Sequence, residues 1–246
     1  MELVLLSALG VGGATVIGAV IGFLFRNISA RFSEIMLSFA AGVMLAAAML
    51  GLVLPAMELG GSLAPLTVSV GIMAGAACIS ILDRFVPSFQ PFITGGAVGK
   101  GVDRVLLFVT AIAIHNLPEG IAAGVGFGTG NVSDALFIAG GIALQNLPEG
   151  MVIISPMLNA GISVKRTMGI AILTGVTEVV GTLIGFFAAS LSRAILPFLL
   201  AFAGGTMVYV ISDEMIPEAH SGGNRRWVSY ALLIGFCLML AVNHYL

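Results

Sequence analysis

Eight apolar stretches, each near the length that crosses a bilayer, follow one another with only short polar breaks between them. A helix needs about 20 mainly apolar residues in a row to bridge the hydrocarbon core. The stretches run over 3–25, 35–57, 65–82, 105–127, 134–157, 167–190, 194–213 and 227–244. Charged residues make up 9% of the chain, against about 25% in soluble domains, which excludes water as its main solvent. In lipid, backbone N–H and C=O groups must be satisfied within the protein, so the expected fold is an all-α polytopic membrane protein of eight transmembrane helices. The spans use most of the 246 residues. One transmembrane domain, 1–246, embedded in a lipid bilayer is expected, with no nucleic-acid module. The first stretch is too long for a signal-peptide core and reads as a retained helix. Cys78 and Cys237 both fall in apolar stretches, which does not suit a disulfide framework.

The basic residues sort by side. Arg26, Arg31, Arg84, Lys100, Arg104, Lys165, Arg166, Arg225 and Arg226 fall at breaks on one face, and only Arg193 falls on the other. Lys and Arg concentrate in cytoplasmic loops, so both termini are expected outside the cytoplasm of a cell (inner or plasma) membrane. The 33 glycines predict closely packed helices, and glycine-rich stretches such as the third offer a face for a homodimer.

Two internal repeats bear on where a ligand binds. Asn116-Leu-Pro-Glu-Gly120 returns as Asn146-Leu-Pro-Glu-Gly150, 30 residues later and at similar depth. Neighbouring spans run antiparallel, so the two motifs meet at mid-depth. A fainter repeat pairs Phe39-Ala-Ala-Gly-Val-Met44, followed by Pro55 and Gly60-Gly61, with Phe202-Ala-Gly-Gly-Thr-Met207, followed by Pro217 and Gly222-Gly223. These stretches run in opposite directions under the charge distribution. Spans one to three then relate to six to eight about a twofold axis in the membrane plane, with four and five exchanged, a 3+2+3 arrangement.

His115 and Glu119 are four apart and share a helix face, with Asn116 turned about 100° to one side. Gln145, Asn146 and Glu149 repeat the pattern on the next span. An ionisable group at this depth costs roughly 3 kcal/mol unless it finds a partner, and no basic residue lies at that depth. A bound cation is the expected partner. Imidazole with carboxylates suits zinc and also iron, while amide oxygens make the site harder. Pro118 and Pro148 lack an N–H and crowd the carbonyls of Ile114 and Leu144, freeing backbone oxygens. Glu178 is a third deep carboxylate, placed at a second metal position with Asn116, Asn146, Glu119 and Glu149. Met44 and Met207 can offer thioethers to a soft ion. Asp213, Glu214 and Glu218 supply weak ligands for a departing ion, and Asp134 and Glu58 lie at the opposite mouth. The purely structural alternatives are proline-kinked helices with internally satisfied glutamates, packing methionines, a solvated helix end at 213–220, and an interfacial His244.

HNLPEG over 115–120 and QNLPEG over 145–150 resemble the paired motifs of the ZIP (Zrt/Irt-like) metal transporters, and the chain is most similar to their short, GufA-like bacterial branch. The resemblance covers essentially the whole sequence and implies eight spans, outside termini and 3+2+3 symmetry. It also implies a binuclear site. One ion would be held by His115, Glu119, Gln145 and Glu149, with Met44 beside them. The other would be held by Asn116, Glu119, Asn146, Glu149 and Glu178, the two motif glutamates bridging. Gln145 stands where many members carry histidine, and the 83–104 connection has no histidine where many eukaryotic members have a His-rich loop.

The function expected is alternating-access transport of zinc, with cadmium, iron and manganese as further candidate cargo, past His115, Glu119, Gln145 and Glu149 and out by Glu178 toward Asp213, Glu214 and Glu218. The ion is cargo; no catalytic residue and no organic cofactor are expected. An intramembrane zinc-dependent hydrolase is the alternative, disfavoured by the absence of HExxH and by only three histidines. A carrier of organic solutes is less favoured, because the core offers no cation for a substrate carboxylate.

Overall fold

The computed structural model describes residues 1–25, 28–84, 102–223 and 225–245, with the backbone alone at 102–111 and 113. Arg26 and Lys100 of the charge distribution lie outside the described residues. Eight long helical runs lie among the described residues: α1 Glu2–Leu24, α2 Ala30–Leu59, α3 Gly61–Asp83, α4 Val102–Gly126, α5 Val132–Asn159, α6 Val164–Leu191, α7 Leu196–Ala219 and α8 Arg225–Tyr245. Among the described residues there is no strand, and seven of the helices, α1 to α3 and α5 to α8, are long and apolar enough to cross a membrane.

Local chemistry fixes the ends. Ser29 caps α2 by accepting the Phe32 N–H at 3.3 Å, so the helix starts at Ala30 rather than 35. Asn131 caps α5 by accepting the Ser133 N–H at 3.0 Å. Before it, Gly130 takes φ 79°, a conformation that strains residues with a Cβ. Neither Pro118 nor Pro148 ends its helix. Helix α7 continues to Ala219 instead of stopping at 213, because its chain widens into a π turn over Ile211–Met215 that keeps Asp213 and Glu214 helical.

A matching π segment interrupts α2 over Ala47–Val53. Both π segments stand between the methionine and the proline of the fainter repeat, ahead of Pro55 and Pro217 respectively. Proline removes a donor and its ring presses on the carbonyl one turn back, and a widened turn relieves both.

Helix α1 packs on α5, and α6 on α4; α2 packs on α8, and α7 on α3. In addition α1 crosses α6, α2 meets α5, and α7 meets α4. Glycines set these approaches. A Cβ on Gly18 or Gly22 would strike the backbone of Leu147 or Met151 on α5, and one on Gly181 or Gly185 would strike Leu117 or Ile121 on α4. Likewise Gly42 abuts Leu232 as Gly205 abuts Ile72, while Gly12 and Gly175 abut each other. Close backbone approach is the usual service of glycine between membrane helices. Gly71 and Gly75 of α3 face Ala201 and Phe202 of α7, so the glycine face of the third span is filled within the chain and no longer argues for a homodimer.

Helices α2, α5 and α7 are mostly buried, whereas α3 and α8 lie at the periphery. Leu5 and Leu9 of α1, Met73 of α3, Leu173 of α6, and Leu233 and Ile234 of α8 point outward and are exposed. Large apolar side chains exposed in this number suit lipid and not water.

Candidate metal centre

The motif helices and α6 bring the expected residues together. His115, Asn116 and Glu119 from α4, Gln145, Asn146 and Glu149 from α5, and Glu178 from α6 are all buried, none more than 5% exposed. Gln145 Nε2 donates to Glu119 Oε2 at 2.7 Å and also to Asn146 Oδ1. Asn146 Nδ2 donates to Glu178 Oε2 at 2.9 Å and to the Val11 carbonyl at 3.2 Å. Asn116 Nδ2 donates to Glu178 Oε1. The Thr15 hydroxyl of α1 lies 2.8 and 3.0 Å from the two Glu178 oxygens. One network thus runs from Glu119 through Gln145 and Asn146 to Glu178, where Asn116 joins it. Thr15 was not singled out from the sequence, although it precedes Glu178 by 163 residues, the offset of the fainter repeat.

His115 turns to a different set of partners. Its Nε2 lies 3.0 Å from Asp83 Oδ1 and 3.1 Å from Glu214 Oε1. One ligand atom from each of these three residues fits within 4.8 Å. Asp83, the last residue of α3, was also missed; its only sequence signal is an acid closing an apolar stretch. Glu214, expected further along the exit, instead touches His115, because the π turn carries it inward. A cavity of about 20 Å³ is lined by Leu37, Ile112, His115, Glu119, Glu149, Val210, Glu214 and Met215. That is room for about one water-sized body.

The remaining candidates are not gathered there. Met44 and Met207 are buried in the apolar cluster with Leu52, Ile138 and Ile142. Asp213, Glu218 and Glu58 are exposed. Asp134 accepts a hydrogen bond from Asn131 Nδ2 at 3.0 Å. His244 is exposed and meets Tyr245 edge to face.

The buried side-chain atoms without a hydrogen-bond partner among the described residues are Asp83 Oδ2, Asn116 Oδ1, Gln145 Oε1 and Thr167 Oγ1. The first three are acceptors of this constellation, and a buried acceptor left without a donor costs roughly 1–3 kcal/mol. A cation is a partner that acceptors of this kind can take without a donor. With an imidazole and several carboxylates nearby and no thiol, the donor set fits a divalent transition metal held by nitrogen and oxygen.

Fold and site together define a multi-pass membrane protein with a constellation of buried acids, amides and one imidazole in its core. The family model of the ZIP zinc transporters matches residues 95–243. The chain is 42% identical over 200 residues to the zinc transporter GufA of Myxococcus xanthus, covering 78% of each chain. It is 37% identical over 242 residues to the zinc transporter ZIPB of Bordetella bronchiseptica, covering 94% of this chain and 77% of that one. With the zinc transporter ZIP11 of Bos taurus it shares 32% identity over 318 aligned positions, covering 94% and 93% of the two chains. The chain belongs to the ZIP family and is a GufA-like member of it.

Proposed function

We propose that this chain carries divalent transition-metal ions, zinc first, across a cell membrane into the cytoplasm. The observation that bears most weight is the gathering of buried acceptor oxygens without donors around the deep carboxylates. The relatives GufA, ZIPB and ZIP11, each named a zinc transporter, agree with it. The protein is a transporter rather than an enzyme, and the hydrolase alternative has no support in the family.

His115, Glu119, Gln145 and Glu149 hold one ion and Asn116, Asn146 and Glu178 a second, with Glu119 and Glu149 bridging. The ion is cargo. Cadmium, iron and manganese are compatible with the same nitrogen and oxygen donors. From His115 the ion passes to Asp83 and Glu214, whose carboxylates already lie against the ring, and then to the exposed Asp213 and Glu218. Met44 and Met207 seal the apolar side.

The architecture is one transmembrane domain of eight spans in a 3+2+3 inverted repeat, with both termini outside. Three observations support this. The helix pairings survive exchange of α1 with α6, α2 with α7, α3 with α8 and α4 with α5. The close glycines pair at the offsets of the two repeats, and the sequence sets nine of the ten basic residues at alternate breaks between the spans.

The test is metal influx into liposomes loaded with a dye sensitive to zinc and cadmium. Wild type is expected to admit zinc, Glu119→Ala and Glu149→Ala to abolish influx, and Gln145→His to shift the ratio of zinc to cadmium. A wild type silent under gradients of either direction overturns the reading.

A further inference from the structure

Thr15 sits in the middle of α1, a helix otherwise built almost wholly of apolar and small residues, and is 1% exposed. A buried hydroxyl must find a partner. Within a helix the nearest one is a carbonyl of the preceding turn, the solution taken by Thr174, Thr182 and Thr206. Thr15 instead reaches across the α1–α6 crossing to both oxygens of Glu178, at 2.8 and 3.0 Å.

The other donors to that carboxylate are the amides of Asn116 and Asn146. Both belong to the NLPEG motifs, and Asn116 still presents an acceptor oxygen without a donor. An ion that engages Asn116 does so through that oxygen and pulls on the amide whose N–H holds Glu178; Thr15 lies outside the motifs and keeps its hold. Its backbone is fixed by the same motif, since a Cβ on Gly150 would strike the Thr15 carbonyl. The repeat offset also makes Thr15 the counterpart of Glu178 itself. Where symmetry would seat another carboxylate, the chain has a donor.

We propose that Thr15 is a positioning residue of the transport site, its hydroxyl holding the Glu178 carboxylate in the orientation from which it meets the ion. This rests on the transport reading above. Thr15→Val keeps the shape and removes the hydroxyl; Thr15→Ser keeps the hydroxyl. In proteoliposomes Thr15→Val is expected to raise the KM for zinc about tenfold with a smaller change in maximal rate, the scale of lost outer-shell support at a metal site, and Thr15→Ser to restore it.

Zinc titration of the purified protein supplies a readout that packing alone would not move. Thr15→Val should weaken zinc binding in wild type and add nothing in a Glu178→Ala background, because the hydroxyl acts through that carboxylate. Equal weakening in both backgrounds overturns the proposal. So does a wild type that moves zinc beside a Thr15→Val variant of unchanged KM, which leaves the transport reading standing. A wild type that moves no zinc overturns that reading and the proposal with it.

Discussion

At the scale of single residues, the acids of the proposed site divide by exposure. Glu119 and Glu149 are enclosed, whereas Asp83 and Glu214 are about a quarter exposed and touch the one imidazole of the centre. Asp83→Asn and Glu214→Gln are therefore expected to lower the maximal rate of zinc influx about tenfold, with a smaller effect on KM. Kinetics of dye-loaded liposomes at graded zinc check this; a change confined to KM would assign both acids to binding instead. Seven residues of the centre were legible in the sequence because two copies of one motif cannot coincide at equal depth without a shared purpose, and because Glu178 is a lone acid in an apolar run. Thr15 and Asp83 were not legible. A single threonine or a terminal aspartate in a membrane helix has many ordinary explanations, and only the crossing of α1 with α6 and the end of α3 give these two their partners.

At the scale of helices, two devices set the geometry. The first is the glycine contact. Gly18→Ala and Gly181→Ala each push a methyl group into the backbone of a motif helix, and overpacking of this kind costs about 1–3 kcal/mol. Thermal unfolding in detergent is expected to show a lowered midpoint for each and a roughly additive loss for the double variant, since the contacts lie on different helix pairs. The second device is the π turn before Pro217. Pro217→Ala restores a donor and removes the ring that favours the widened turn, so the segment can close to α geometry and rotate Glu214 away from His115. Zinc influx is expected to fall several-fold while the unfolding midpoint holds or rises; unchanged influx would show that the turn does not place Glu214. The apolar runs made the helices readable. The π turns were hidden, because a one-residue widening leaves hydropathy untouched, and the end of α7 was misplaced for that reason.

At the scale of the whole molecule, the charge distribution predicts sidedness. With Cys78 and Cys237 replaced, Ser192→Cys should react with an impermeant thiol reagent from outside intact cells, and Ser221→Cys only after the membrane is opened; both serines are exposed. The reverse pattern would invert the topology and the direction of transport. The crossing of Gly12 with Gly175 has a consequence of another order, for descent rather than mechanics. Each residue is the other's repeat mate, and a side chain added at one is driven into the backbone of the other. Under the proposed inverted repeat, drift at these two codons is blocked from both directions at once. One turn along, Thr15 and Glu178 met no such barrier, and there the two halves were free to become different.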